Sequence, residues 1–99
     1  MKLVFTPEAE RQANEMDAWW REHRPGTRDL FARELAQARD VVVGNPNVGV
    51  TYRTGSGKTA RRILMPKARN HLYFEVDEVK DLIVVLAIWG APRGRGPAL

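Results

Sequence analysis

The first half of the chain repeats its hydrophobic residues at the spacing of one helical face. Four of them fall at i, i+4, i+7 and i+11, namely Ala9, Ala13, Met16 and Trp20. This period predicts an amphipathic helix. Thr6 followed by Pro7 is typical of a helix N-terminus, and Arg24-Pro25-Gly26 ends the pattern. The residues before the helix, Lys2 to Phe5, predict a short strand.

A second stretch has the same spacing, on Phe31, Leu35, Ala38 and Val42. Thr27 is in position to cap this second helix, with Asp29 in its first turn. Gly44 and the following Asn45-Pro46-Asn47 end it. Two amphipathic helices joined by a three-residue break predict an antiparallel helical hairpin.

From residue 48 onward the pattern changes to that of β-strands. Val50 to Arg53 is predicted as a short extended piece, and Lys58 to Met65 as a strand that Pro66 ends. His71 to Asp77 alternates, with one face formed by Leu72, Phe74 and Val76 and the other by His71, Tyr73 and Glu75. Leu82 to Trp89 is apolar at every position, which predicts a central strand buried on both faces.

The order strand, helix, helix, strand, strand, strand predicts a two-layer α+β fold. The short N-terminal strand and the helical hairpin would pack on a small, mostly antiparallel sheet, because the helices can bury their apolar stripes only there. At 99 residues the chain has room for one domain. We therefore expect a single domain over residues 1–99, with a flexible basic tail over residues 90–99.

The net charge of +4 is unevenly distributed along the chain. Residues 1–50 carry seven basic and eight acidic side chains, whereas residues 51–99 carry nine and four, so the halves have net charges of −1 and +5. A basic second half suggests an acidic protein or nucleic acid as partner, although the same charge also suits an ordinary solvated surface.

The composition also excludes several kinds of site. The chain has no cysteine, which excludes disulfides, thiolate zinc sites and thiol catalysis, and two histidines are too few for an imidazole metal site. We expect no cofactor. The apolar start is too short for a signal peptide, and the apolar run from Leu82 to Trp89 is too short to cross a membrane. The expected compartment is the cytoplasm.

Gly55-Ser56-Gly57-Lys58-Thr59 resembles part of a phosphate-binding loop. The full pattern needs a glycine where this chain has Tyr52, and it needs a strand before the loop and a helix after it. Here a strand follows, so the segment is predicted to be a turn.

The basic and aromatic residues of the second half supply the candidate chemistry. Arg61 and Arg62 occupy adjacent strand positions, so their side chains should point to opposite faces, one toward the helix layer and one toward the open side. There an arginine could join His71, Tyr73 or Glu75 in an RNA or phosphate surface, or simply pair with Glu75. His71 could act as a general base, but a lone histidine near the start of a strand is more often structural.

Several segments, in this order and spacing, resemble the RelE/ParE superfamily of bacterial toxins over nearly the whole chain. They are Phe5-Thr6-Pro7-Glu8-Ala9, Phe31-Ala32-Arg33-Glu34-Leu35, Asn45-Pro46-Asn47-Val48-Gly49, Arg61-Arg62-Ile63-Leu64-Met65-Pro66, His71-Leu72-Tyr73-Phe74-Glu75-Val76-Asp77, Val84-Val85-Leu86-Ala87-Ile88-Trp89 and the Arg-Gly-Arg-Gly-Pro tail. The resemblance implies the toxin of a type II toxin–antitoxin system. The antitoxin would wrap the toxin, and operator DNA would be bound only through the antitoxin.

The resemblance leaves two activities open. RelE-like members cut messenger RNA on the ribosome with basic residues and often a Tyr or His near the C-terminus, whereas ParE-like members poison DNA gyrase. The residues after Trp89 include no Tyr and no His, and the predicted hairpin is unbroken. Both features favour the ParE-like branch and a target that is inhibited without catalysis. An inactive member that only binds its antitoxin is a third alternative.

Each alternative has its own candidate residues. A gyrase-binding surface would involve Lys58, Arg62, Arg93 and Arg95. In a ribonuclease, Arg62, Lys67, Arg69 and Arg93 would hold phosphate, and His71 or Tyr73 would move the proton. The candidates for antitoxin binding are Trp19, Arg61 and Tyr73; of the adjacent tryptophans, Trp20 belongs to the apolar stripe and Trp19 lies at its edge.

Overall fold

The computed structural model describes residues 1–90 and 96–99. Its elements, in chain order, are β1 (Lys2–Phe5), α1 (Pro7–His23), a 3-10 turn (Pro25–Thr27), α2 (Leu30–Gly44), β2 (Val50–Arg53), β3 (Thr59–Met65), β4 (Asn70–Asp77) and β5 (Leu82–Gly90). The predicted α+β fold, with a hairpin of two helices on one sheet, is confirmed. Gly90 belongs to β5, because it pairs with Asn70, so the strand runs one residue beyond its predicted end.

The five strands form one mixed sheet in the order β1-β5-β4-β3-β2. β1 runs parallel to β5, while the other three pairs of neighbours are antiparallel. A parallel pair needs a long crossover connection, which the helical hairpin and the three strands between β1 and β5 provide. α1 packs on β5 and β1, and α2 packs on β3 and β1, so both helices lie on the same face of the sheet.

The start of α1 agrees with the prediction, whereas the start of α2 does not. The Thr6 hydroxyl accepts a hydrogen bond from the Ala9 amide at 3.1 Å, as expected of an N-cap. Thr27 does not cap α2, because it lies inside the 3-10 turn and its own amide donates to Arg24 O at 2.9 Å. The N-cap of α2 is instead Asp29, which makes no side-chain cap bond.

The core lies between the helices and one face of the sheet. Its central residues are fully buried and come from α2 and the three long strands: Phe31, Val42, Met65, Leu72, Phe74, Ile83, Val85 and Ile88. Ala9 and Ala13 complete it from α1, with the other residues of the predicted stripe, Met16 and Trp20, packed at its edge. The small alanines let α1 approach the sheet closely.

The prediction that β5 is buried on both faces is only half correct. On the helix side Ile83, Val85 and Ile88 are at most 1% exposed, but Val84 and Leu86 are only partly buried. The reason is that α1 and α2 pack on one face of the sheet, so neither of them covers β5 on the other side. β5 is nevertheless an inner strand, between β1 and β4.

A β-bulge in β5 changes which residues face the core. Tyr73 pairs with Ala87 and Phe74 pairs with Val85, which leaves Leu86 as the extra residue. Strand alternation restarts after such a bulge. Ile88 therefore turns into the core, while Ala87 and Trp89 face the same side as Tyr73 and His71.

Candidate functional site on the open face of the sheet

The face of the sheet opposite the helices carries the candidate site, and we call it the open face. Strand register and alternation place on it Val50 and Tyr52 of β2, Ala60, Arg62 and Leu64 of β3, His71, Tyr73 and Glu75 of β4, and Val84, Ala87 and Trp89 of β5. Ala60, Tyr73 and Ala87 are each at most 1% exposed, although they lie outside the main core cluster. The open face thus has a small buried centre of its own.

Four side chains around this centre form what we call the Arg62 cluster, namely Tyr52, Arg62, His71 and Tyr73. The Arg62 guanidinium donates a hydrogen bond to the Tyr73 hydroxyl at 3.3 Å. The Tyr73 ring meets the ring of Tyr52 edge-on at 4.9 Å and the ring of His71 edge-on at 6.1 Å between centroids. One of the two adjacent arginines was predicted to be able to meet His71 or Tyr73 on this side, and it is Arg62. Tyr52 was not predicted, because its place depends on the pairing of β2 with β3.

His71 is held in its neutral form by its surroundings. Partial burial lowers the pKa of His71 below the ordinary value of 6.5, and the positive charge of Arg62 lowers it further. A neutral imidazole can accept a proton, so the residue keeps the form that a general base needs at pH 7. The cluster therefore combines a fixed cation, a neutral base and a buried phenol.

Arg61 lies on the other side of the sheet from Arg62. It pairs with Phe74, a core residue, so its side chain points toward the helix layer, where it is partly exposed. The alternation predicted for the two arginines is confirmed. Of the three antitoxin candidates, only Tyr73 belongs to the open face.

Trp19, the third of these candidates, lies near the end of α1. Its side chain is 44% exposed, and its ring stacks on that of His23 with 4.7 Å between centroids and 12° between planes. The guanidinium of Arg24 lies 5.9 Å from the centre of the Trp19 ring. Trp19 is thus a surface residue in an aromatic and cationic group, while Trp20 packs against the core.

The remaining cationic candidates lie at opposite ends of the β3–β4 hairpin. Lys67 and Arg69 are exposed in its connecting turn, where Arg69 has a left-handed backbone with φ of 58°. Lys58 is exposed at the far end, in a depression with Glu75, Asp77 and Glu78. The structure brings Arg62 together with His71 and Tyr73, but it does not bring Lys58 to Lys67 and Arg69. Arg93 and Arg95 lie outside the described residues.

A buried carboxylate fixes the turn that carries Lys67 and Arg69. Glu34 of α2 is 9% exposed, and it accepts hydrogen bonds from the amides of Lys67 at 3.1 Å and Ala68 at 2.6 Å. This anchoring role of Glu34 was not predicted. Its position could have indicated burial, because Glu34 lies one residue before Leu35 of the apolar stripe and therefore borders the buried face of the helix.

The glycine-rich segment after β2 is a turn, as predicted. The Thr54 amide donates to Lys58 O at 2.9 Å, and the Gly57 amide donates to Thr54 O at 3.1 Å. Gly57 has φ of 83°, a conformation that favours glycine. These bonds close the turn on itself, and the next element is strand β3 rather than a helix.

Within residues 1–90 and 96–99, no three side chains of the His, Cys, Asp or Glu types are grouped so as to hold a metal ion. Over the same residues, neither helix has the length and apolar character needed to span a bilayer.

Comparison with known proteins identifies the fold. No protein-family model matches the sequence, and no curated protein matches it. A solved structure described as a "YoeB/ParE toxin from Agrobacterium tumefaciens" superposes with a TM-score of 0.58 and 17% sequence identity, over 91% of this chain and 98% of that chain. The likeness covers the hairpin and the sheet together, and the fold of this chain is therefore that of the RelE/ParE toxins.

Proposed function

We propose that this chain is the toxin of a type II toxin–antitoxin pair and that its target is DNA gyrase. Its fold is that of a protein described as a YoeB/ParE toxin. The observation that carries the choice of target is the burial of Tyr73. This phenol is 1% exposed and its oxygen accepts a hydrogen bond from Arg62, so in this conformation it is not presented to a substrate. The uninterrupted helices of the hairpin, 17 and 15 residues long, agree with a ParE-like toxin.

The gyrase proposal makes the basic residues after β5 the first target-binding candidates, with Lys58 and Arg62 as further contacts. Replacing both Arg93 and Arg95 with Ala should relieve growth inhibition in cells that express the protein without its antitoxin, while the protein stays folded. A matched control removes two positive charges elsewhere, at the exposed Arg28 and Lys80. If both double variants inhibit growth as strongly as the original protein, the placement of the target surface is wrong.

A ribosome-dependent endoribonuclease is the second candidate function, and the Arg62 cluster favours it. Arg62 would stabilise negative charge on a phosphate, with Lys67 and Arg69 as further phosphate contacts, and the partly exposed, neutral His71 could take the proton of a ribose 2′-hydroxyl. In that case His71→Ala or Tyr73→Phe should abolish cleavage of messenger RNA while antitoxin binding persists. Full toxicity in both variants would exclude the catalytic assignment.

A cognate antitoxin is the proposed partner, and an apolar groove between α2 and β3 offers it a surface. The groove is lined by Ala38, Val41, Val48, Leu64 and Pro66, among others. Val41 of α2 is 50% exposed in this groove, although its side chain is apolar. Trp19 and Arg61 are exposed enough to contact the same partner from the helix layer, and operator DNA would be reached only through the antitoxin.

The groove can be tested with one charged substitution. Val41→Glu should weaken antitoxin binding by about tenfold or more, since a buried unpaired charge in an interface costs at least about 1.4 kcal/mol. Val79→Glu is the matched control, because Val79 is 97% exposed in the turn before β5. Equal affinities for both variants would show that the antitoxin binds elsewhere.

We place this activity in the cytoplasm, where gyrase and ribosomes act. Controlled expression of the protein in cells without its antitoxin tests whether it is a toxin at all. Growth arrest that a co-expressed antitoxin relieves supports the proposal. Unimpaired growth with full-length, soluble protein would leave only the third alternative, a regulator that binds its antitoxin.

A further inference from the structure

Residues 96–99, which we call the strap, return to the open face of the sheet. The Tyr52 hydroxyl donates a hydrogen bond to Pro97 O at 2.7 Å, and the Gly55 amide donates to Leu99 O at 3.0 Å. Pro97 is buried in this contact. The strap is thus attached to β2 and to the turn that follows it, through one side chain and one backbone amide.

Gly96 makes this attachment sterically possible. A Cβ at position 96 would lie 2.6 Å from the Tyr52 hydroxyl and 2.8 Å from Cε2 of the same ring. Side chains do not approach aromatic atoms so closely, so any residue other than glycine forces either the strap or the Tyr52 ring to move. Either movement displaces one partner of the hydrogen bond from Tyr52 to Pro97, and a branched side chain such as valine requires the larger displacement.

Tyr52 connects the strap to the rest of the Arg62 cluster. Its ring packs edge-on against Tyr73, and Tyr73 accepts the hydrogen bond from Arg62. With the strap in place, Tyr52 is fixed at its hydroxyl end by Pro97 and at its ring by Tyr73. The position of the strap therefore determines whether Tyr52 can move away from Tyr73.

We propose that the strap is an autoinhibitory contact that holds Tyr52 over Tyr73 and closes the Arg62 cluster until the strap is released. Two hydrogen bonds with small net free energies hold it, so a partner or target that binds the open face more strongly can displace it. This device goes beyond the proposed function. It governs access to the open face whether the target is gyrase or ribosome-bound RNA.

The first readout is amide hydrogen exchange at Gly55, measured by NMR on the full chain. Gly96→Val should speed exchange of the Gly55 amide by about tenfold or more, because it loses its acceptor, Leu99 O. The Thr54 amide is an internal control for folding, since its acceptor is Lys58 O within the turn. Gly26→Val is the matched control variant, because a Cβ at position 26 meets nothing within 4 Å.

The second readout is acetylation of the Tyr73 phenol by N-acetylimidazole, located by peptide mass spectrometry. The original protein and Gly26→Val should acetylate slowly at Tyr73, and Gly96→Val should acetylate severalfold faster. Tyr52→Phe, which keeps the ring but cannot donate to Pro97, should behave like Gly96→Val in both readouts.

The proposal requires both readouts to rise together while Thr54 exchange stays slow. Faster Gly55 exchange without faster Tyr73 labelling would show that release of the strap does not change access to Tyr73. Unchanged Gly55 exchange in Gly96→Val would show that the strap does not dock as described. Either result overturns the proposal, and neither depends on whether the protein is a toxin.

Discussion

At the scale of single residues, Arg62 affects both of its neighbours on the open face, Tyr73 and His71. Its guanidinium donates to Tyr73 and its charge opposes protonation of His71. Because the pKa of His71 is lowered in the folded protein, the unfolded chain binds more protons than the folded one when the pH falls below about 6.5. The contribution of His71 to stability is therefore complete above that pH and is lost as the pH falls toward the lower, folded pKa.

Removing the charge of Arg62 should raise the pKa of His71. Arg62→Gln deletes the nearby positive charge but leaves the burial, which is the larger cause, so the pKa should move toward the ordinary 6.5 without reaching it. An NMR titration of the His71 ring protons measures this. Arg53→Gln is the control, because Arg53 alternates with Tyr52 and points to the opposite face. An unchanged His71 pKa in Arg62→Gln would show that the two side chains do not interact.

At the scale of elements, the helices depend on single polar anchors. Thr6 satisfies an amide at the start of α1, and its replacement by Ala should lower the free energy of unfolding by about 1 kcal/mol. Thr27→Ala is the control, since Thr27 lies inside the 3-10 turn and the N-cap of α2 is Asp29, and it should change stability by less than about 0.5 kcal/mol. Urea unfolding of both variants measures the difference. Equal losses would mean that Thr27 also acts as a cap.

Glu34 is a stronger anchor, because it joins α2 to the β3–β4 turn. Glu34→Ala leaves the amides of Lys67 and Ala68 without their acceptor, and it should lower the free energy of unfolding by about 2 kcal/mol. Asp40→Ala, on an exposed position of the same helix, should have an effect within about 0.5 kcal/mol. If chemical denaturation gives similar values for both, the carboxylate does not hold the turn.

The elements also show what the sequence could predict and what it could not. Opposite directions for Arg61 and Arg62 follow from the two-residue period of any strand, so local sequence was enough. Tyr52 joins Tyr73 only through the register of two strand pairs, and nothing local specifies that register. Ile88 faces the core because of the bulge at Leu86. Every residue of this strand is apolar, so the sequence does not indicate which side chains face the core.

The prediction that Thr27 caps α2 was wrong for a conformational reason. A threonine before an apolar stripe is a good cap only if its backbone is extended, and Pro25 instead starts a 3-10 turn that includes Thr27. The position of the strap could not be predicted either. A segment rich in glycine and proline predicts no regular element, and its contacts with Tyr52 and Gly55 are tertiary.

At the scale of the whole molecule, the two faces of the sheet have different roles. One face packs on both helices and forms the core. The other carries the Arg62 cluster, with the strap lying over part of it. A small α+β domain of this kind exposes a cationic and aromatic surface on a rigid support, which suits a protein that acts by binding a larger partner.

The most direct test of the proposed function mixes the purified protein with DNA gyrase, relaxed plasmid and ATP, and follows supercoiling and linear DNA on a gel. We predict loss of supercoiling together with trapped double-strand breaks, and weaker inhibition by the Arg93→Ala, Arg95→Ala double variant. Normal supercoiling, at a protein concentration that arrests growth in cells, would contradict the gyrase target. The proposed target would then be ribosome-bound messenger RNA, with Arg62, His71 and Tyr73 as the residues to examine.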